Sequence, residues 1–128
     1  MFVEFTTKQG KHISYNTNVI LFIGERQRKT SIVFQDATFH EASEDYEDVC
    51  DKIEKAKKFI LPVKESFIEM KTRKDERVFC YISRFFSILE TDYGVSVVYI
   101  DGVEQEYPVN YKRFMKSIRC RLIDNCNS

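Results

Sequence analysis

The chain has 128 residues, 43% hydrophobic and 14% aromatic, with 20 basic and 20 acidic side chains and a formal net charge of zero. That hydrophobic content excludes a disordered chain, and the length suits one compact domain or two very small ones sharing a core. Zero net charge gives no global pull toward nucleic acid or an anionic surface, and no apolar run approaches the roughly 20 residues that cross a bilayer.

The chain opens on Met1-Phe2-Val3-Glu4-Phe5-Thr6-Thr7-Lys8, which alternates with period two and lacks the basic start and apolar stretch of a signal peptide. The expected location is the cytoplasm, of a microbe or of a cell infected by a virus or phage. A first strand is predicted over 3–7. It leads through the polar turn Lys8-Gln9-Gly10-Lys11 into a second strand, a hairpin signal. Further strands follow over 19–23 and 30–34, and Asp36-Ala37 turns the chain into a short fifth. A helix is predicted over 43–56, with Ser43 as N-cap and Glu44, Asp45, Glu47 and Asp48 at the positive end of its dipole. Its apolar face is Tyr46, Val49, Cys50, Ile53 and Ala56, read as packing on the sheet.

Residues 59–66 contain Phe59-Ile60-Leu61-Pro62-Val63, too apolar for a solvated tether, so this linker is expected to pack. The earlier order then returns. Strands are predicted over 68–72, 85–89 and 95–100, with Asp101-Gly102 as the tighter turn into a short fifth. A helix over 108–121 has Pro108 at its first position and the apolar face Tyr111, Phe114, Met115, Ile118 and Leu122.

Shifting the sequence by 65 places residues 2–55 on 67–120 without a gap. Eleven of 54 positions are then identical, among them Glu4/Glu69, Asp36/Asp101 and Tyr46/Tyr111. Ordinary composition gives about 3 or 4 by chance. The predicted fold class is therefore α+β: two tandem pseudo-symmetric repeats, each an antiparallel β-meander of four to five strands followed by one helix. The units are 1–58, a packed linker 59–66, and 67–128 with a polar tail. A strand edge of each unit is expected to pair with the other, as protomers pair in a homodimer.

The first unit, with its Asn18-Val19-Ile20-Leu21-Phe22-Ile23 and Thr30-Ser31-Ile32-Val33-Phe34 strands and its following helix, resembles the short FlbD-type family. The second unit follows the same template more loosely. Its Ile82-Ser83-Arg84-Phe85-Phe86-Ser87-Ile88 and Ile100-Asp101-Gly102 are also similar to the C-terminal half of LytTR DNA-binding domains. The first resemblance implies a small bacterial or phage protein and carries no catalytic residue with it. The chain departs from the pattern in being doubled and in having Ala37 at the usual turn glycine.

No phosphate loop, nucleophile elbow, zinc motif or dinucleotide fingerprint is present. An enzyme is not predicted, nor any cofactor or metal. Of the two histidines, His12 and His40, both are read as solvent-facing, because Arg77 and Gln105 stand at the matching places. Cys50 and Cys80 are read as buried free thiols, with Cys120 and Cys126 near the tail.

The helices differ in charge. The first carries Glu44, Asp45, Glu47, Asp48, Asp51 and Glu54 against Lys52 and Lys55, whereas the second carries Lys112, Arg113, Lys116, Arg119 and Arg121 and no acid. Such faces are most often merely solvated. The special reading is a non-enzymatic binding module acting through protein–protein contacts, the acidic helix of one chain facing the basic helix of another protein or of its own copy, as a homodimer. Two alternatives follow: a nucleic-acid-binding protein using the basic helix, or small-molecule or nucleotide binding between the repeats. The binding candidates are thus Lys112, Arg113, Lys116, Arg119 and Arg121 on one side and Glu44, Glu47, Asp48 and Asp51 on the other.

Overall fold

The computed structural model describes residues 1–62 and 66–124. The fold is α+β, with two α-helices among the described residues and antiparallel pairing in every ladder between them. In chain order the elements are β1 (Phe2–Thr6), β2 (His12–Asn16), a 3-10 turn (Thr17–Val19), β3 (Ile20–Arg26), β4 (Lys29–Phe34), β5 (Phe39–Ala42), α1 (Tyr46–Lys57) and β6 (Phe59–Ile60). There follow β7 (Phe67–Lys71), β8 (Arg77–Tyr81), a second 3-10 turn (Ile82–Arg84), β9 (Phe85–Thr91), β10 (Gly94–Tyr99), β11 (Glu104–Tyr107), α2 (Tyr111–Arg119) and β12 (Ile123–Asp124).

The sheets do not follow the two halves. In place of a meander closed within residues 1–58, the hairpin β1–β2 leaves β3 and joins the second half, giving a five-stranded sheet in the order β1-β2-β9-β10-β11. The joint is the pairing of β2 with β9: Ile13 opposite Leu89, Ser14 opposite Ile88 and Tyr15 opposite Ser87. β3, β4 and β5 make a separate three-stranded sheet, β7 and β8 a two-stranded one, and β6 pairs with β12. Thr17–Val19 redirects the chain between β2 and β3, and the Asn16 side chain that caps it also donates to the Phe85 carbonyl at 2.9 Å.

Two apolar cores result. In one, Val49 and Ile53 of α1 pack with Val3, Phe5, Tyr15, Val19, Ile32, Phe34 and Ala42. In the other, Tyr111, Phe114, Met115 and Ile118 of α2 pack with Ile68, Met70, Ile82, Phe85, Ile88, Val95 and Val97. Both helical stripes thus face sheet, but Tyr46 departs from the predicted face: it is 37% exposed, against 3% for Tyr111.

The caps differ from expectation as well. The N-cap of α1 is Asp45, and Ser43 lies outside, bonding to Glu44. α2 is capped by Asn110, whose Oδ1 accepts from the Arg113 N–H at 3.1 Å, so Pro108 precedes the helix rather than starting it. The linker's Phe59 and Ile60 are each about two-fifths exposed, Leu61 packs against the second core, and residues 63–65 fall outside the described residues, as does Cys126. Cys50, Cys80 and Cys120 are free thiols, with Cys80 buried.

Candidate interaction surface

Alternation along β1 sends its side chains to two different places. Val3 and Phe5 enter the first core, whereas Phe2 packs near Phe85, with ring centroids 6.4 Å apart, and Glu4 faces α2. Tyr111 donates to Glu4 Oε1 at 2.7 Å, which leaves Ser14 of β2 as the donor to Tyr111, also at 2.7 Å. His12 stacks on the Tyr111 ring at 5.7 Å, and Arg119 reaches the same Glu4 oxygen at 3.9 Å. Burial foremost, reinforced by the Glu4 carboxylate, pushes the Tyr111 hydroxyl well above its ordinary pKa, so it stays a donor.

The ladder between β2 and β9 extends this attachment at both ends. Asn16 donates to the Phe85 carbonyl, the His12 N–H donates to Glu90 Oε1 at 3.0 Å, and Lys11 pairs with Asp92 at 2.5 Å. From the other side Phe86, 8% exposed, enters the first core, 5.1 Å from the Phe34 ring. Phe86 occupies a β-bulge, between the Phe85–Tyr99 and Ser87–Val98 pairs.

Elements begin at matching places in the two halves, so each of these positions has a counterpart 65 residues away, and the counterparts are open. Leu21 occupies the same kind of bulge, between Ile20–Phe34 and Phe22–Val33, but it is 62% exposed. On β7, Ile68 and Met70 are buried while Phe67 is not. On β8, Phe79 (71% exposed) and Tyr81 stand where β2 has the buried Ser14 and Asn16. The Phe67 and Tyr81 rings pack on each other at 4.4 Å. Among the described residues β8 pairs only with β7, and β3 only with β4. Two strand edges and five large apolar side chains, Leu21, Phe22, Phe67, Phe79 and Tyr81, are therefore at the surface. Exposed aromatics beside an unpaired backbone edge are the features from which protein–protein contacts are built.

The charged residues singled out in the sequence lie elsewhere. Glu47, Asp48 and Asp51 are exposed on α1, and Glu44, just before it, pairs with Lys52 at 3.3 Å. Lys112, Arg113, Lys116 and Arg119 are exposed on α2. Among the ion pairs of the described residues only Arg119 of these is engaged, and Arg121 donates to the Ser117 carbonyl and hydroxyl at 2.7 Å. The two helices form no ion pair with each other among the described residues; each keeps its charge on its own outer face.

Both histidines depart from the solvent-facing reading. His12 is half-buried in its stack on Tyr111. His40 is half-buried too, with Nδ1 bonded to the Tyr15 hydroxyl at 3.0 Å, the Phe5 ring 5.2 Å away and Nε2 buried. Arg and Gln at the matching positions hid this, because those positions face a different neighbour. No helix among the described residues is long and apolar enough to cross a membrane. No family model, curated protein or solved structure matches the chain.

Proposed function

We propose that the chain is a non-enzymatic binding module that acts through protein–protein contacts in the cytoplasm of a microbe or an infected cell. The observation that carries this reading is the apolar surface left exposed at two strand edges, Phe67, Phe79 and Tyr81 on β7–β8 and Leu21 and Phe22 on β3. Aromatic side chains at a surface supply most of the affinity where they become buried by a partner. An internal duplication, and with it kinship to the FlbD-type family, belongs to the same proposal. Its supports are the element order, which restarts at residue 67, and the matched bulges at Leu21 and Phe86. A doubled chain in which one of two equivalent joints is occupied has a spare joint to offer.

The test replaces exposed apolar side chains and compares stability with association. Phe79→Lys and Leu21→Lys should leave the unfolding midpoint within error while abolishing association with whatever the intact chain binds, read by light scattering and by crosslinking in the source cell. If both variants associate as the parent does, these apolar edges are not the binding surface.

A second reading has its own support. Lys112, Arg113 and Lys116 project from one helix and take part in no ion pair with a described residue. Nucleic-acid phosphates suit such a stripe. A Lys112→Glu/Arg113→Glu/Lys116→Glu variant that loses bound DNA or RNA, with the parent's affinity falling steeply as salt rises, would favour this reading over the first.

A further inference from the structure

We infer that the partner of these open edges is a second copy of this chain, with β3 of one copy pairing antiparallel to β8 of the other. This rests on the protein–protein reading above and names its partner. The register comes from the joint already made. Moving the β2–β9 pairs by 65 residues on each strand sets Val78 opposite Gly24, Phe79 opposite Ile23 and Cys80 opposite Phe22. Continuing toward the bulge sets Tyr81 beside Leu21, so side chains now at the surface cover one another.

Continuing the other way sets Arg77 opposite Glu25 and Glu76 opposite Arg26. Nothing in the apolar pattern required that. Two adjacent pairs of opposite charge appear in the register that the existing joint dictates, and like charges opposite each other across strands would have repelled. The existing joint also ends in polar contacts, an ion pair of Lys11 with Asp92 and a bond from the His12 backbone N–H to Glu90. The edges are therefore complementary to each other in charge as well as in apolar character, which a second copy supplies and an unrelated strand need not. Two-fold symmetry then repeats the pairing, β3 of each copy on β8 of the other, and leaves neither edge open.

The decisive experiment uses two full-length variants, Glu25→Arg and Arg77→Glu, studied by sedimentation across a concentration series. The parent should dimerise. Each variant alone places like charges opposite each other twice per dimer and should raise the dissociation constant by roughly tenfold or more. Mixed one to one, the variants meet with opposite charges at both joints, and a heterodimer of near-parental affinity should form. The double variant in one chain should likewise recover.

A parent that is monomeric throughout overturns the second-copy inference. So does a mixture no stronger than its components. If the single variants instead lose stability as monomers and the double variant regains it, the edges pair within one chain, which also overturns it. The broader reading fails separately: a monomer that still loses a heterologous partner on Phe79→Lys keeps the binding module and discards the second copy, whereas a monomer indifferent to Phe79→Lys and Leu21→Lys discards both.

Discussion

The hairpins β1–β2 and β7–β8 have the same length and turn into the same kind of 3-10 segment, yet one is built into a five-stranded sheet and the other forms a two-stranded sheet of its own. Their inward faces do equivalent work: Val3 and Phe5 fill one core, Ile68 and Met70 the other. Their second faces differ in chemistry. Glu4, Ser14 and Asn16 find the Tyr111 hydroxyl and the Phe85 carbonyl, so the first hairpin is held by directional bonds that a buried polar group demands. Phe67, Phe79 and Tyr81 need no such partners and are left facing water. A shared strand pattern thus specifies one packed face, and the composition of the opposite face decides what the hairpin does next.

Substitutions at matched positions are the direct way to break this comparison, and the bulges should show the largest effect. Phe86→Ala removes a ring from the first core and should cost about 3 kcal/mol in denaturant unfolding, whereas Leu21→Ala should leave the midpoint within error. Equal losses at the two sites would mean that both bulges are covered. Next comes the tyrosine pair. Tyr111→Phe strands the Ser14 hydroxyl and Glu4 and should cost about 1–2 kcal/mol, while Tyr46→Phe should be silent.

The turns sharpen the contrast by a change of sign. Ala37 has φ +72 and Gly102 has φ +92, with open space around the position a Cβ would take. Ala37→Gly should therefore be neutral or stabilising, and Gly102→Ala destabilising by about 1 kcal/mol. The smallest effect is pH-dependent and confined to the first half. Burial lowers the pKa of His40 below its ordinary value, the nearby Glu44 opposing and Lys52 assisting. The unfolded chain then takes up the proton first, so stability should be full above about pH 6.5 and fall as the pH drops through the lower, folded-state value. His40→Phe should flatten this acid limb, and Gln105→Ala should leave it unchanged.

Strands, helices and their inward stripes were legible in the sequence because periods of 2 and 3.6 are local properties. β1, β4, β7 and β10 fall within a residue of their expected bounds. The strand exchange was legible only as an expectation that edges would pair; which edges met was not. That choice depends on Glu4, Ser14 and Asn16 meeting groups far away along the chain, and a lone polar residue in a strand looks the same whether it faces water or a buried tyrosine. Tyr46 was misplaced for a related reason. Its match to Tyr111 implied a shared setting, but Phe79 stands where β2 has Ser14, so the hydroxyl that Ser14 offers Tyr111 has no counterpart for Tyr46. The helix starts were displaced because Ser43 and Pro108 fit general preferences, while Asp45 and Asn110 occupy the actual caps.

The exchanged hairpin also constrains how the protein is made. Tyr15 cannot meet Ser87, nor Ile13 meet Leu89, until β9 has been synthesised. A nascent chain therefore carries a completed β1–β2 hairpin with an unsatisfied edge until β9 has been made, and long-range closure of that kind is intrinsically slow. Chains arrested before residue 85 should be the most prone to clump, and release of that hazard should coincide with emergence of β9.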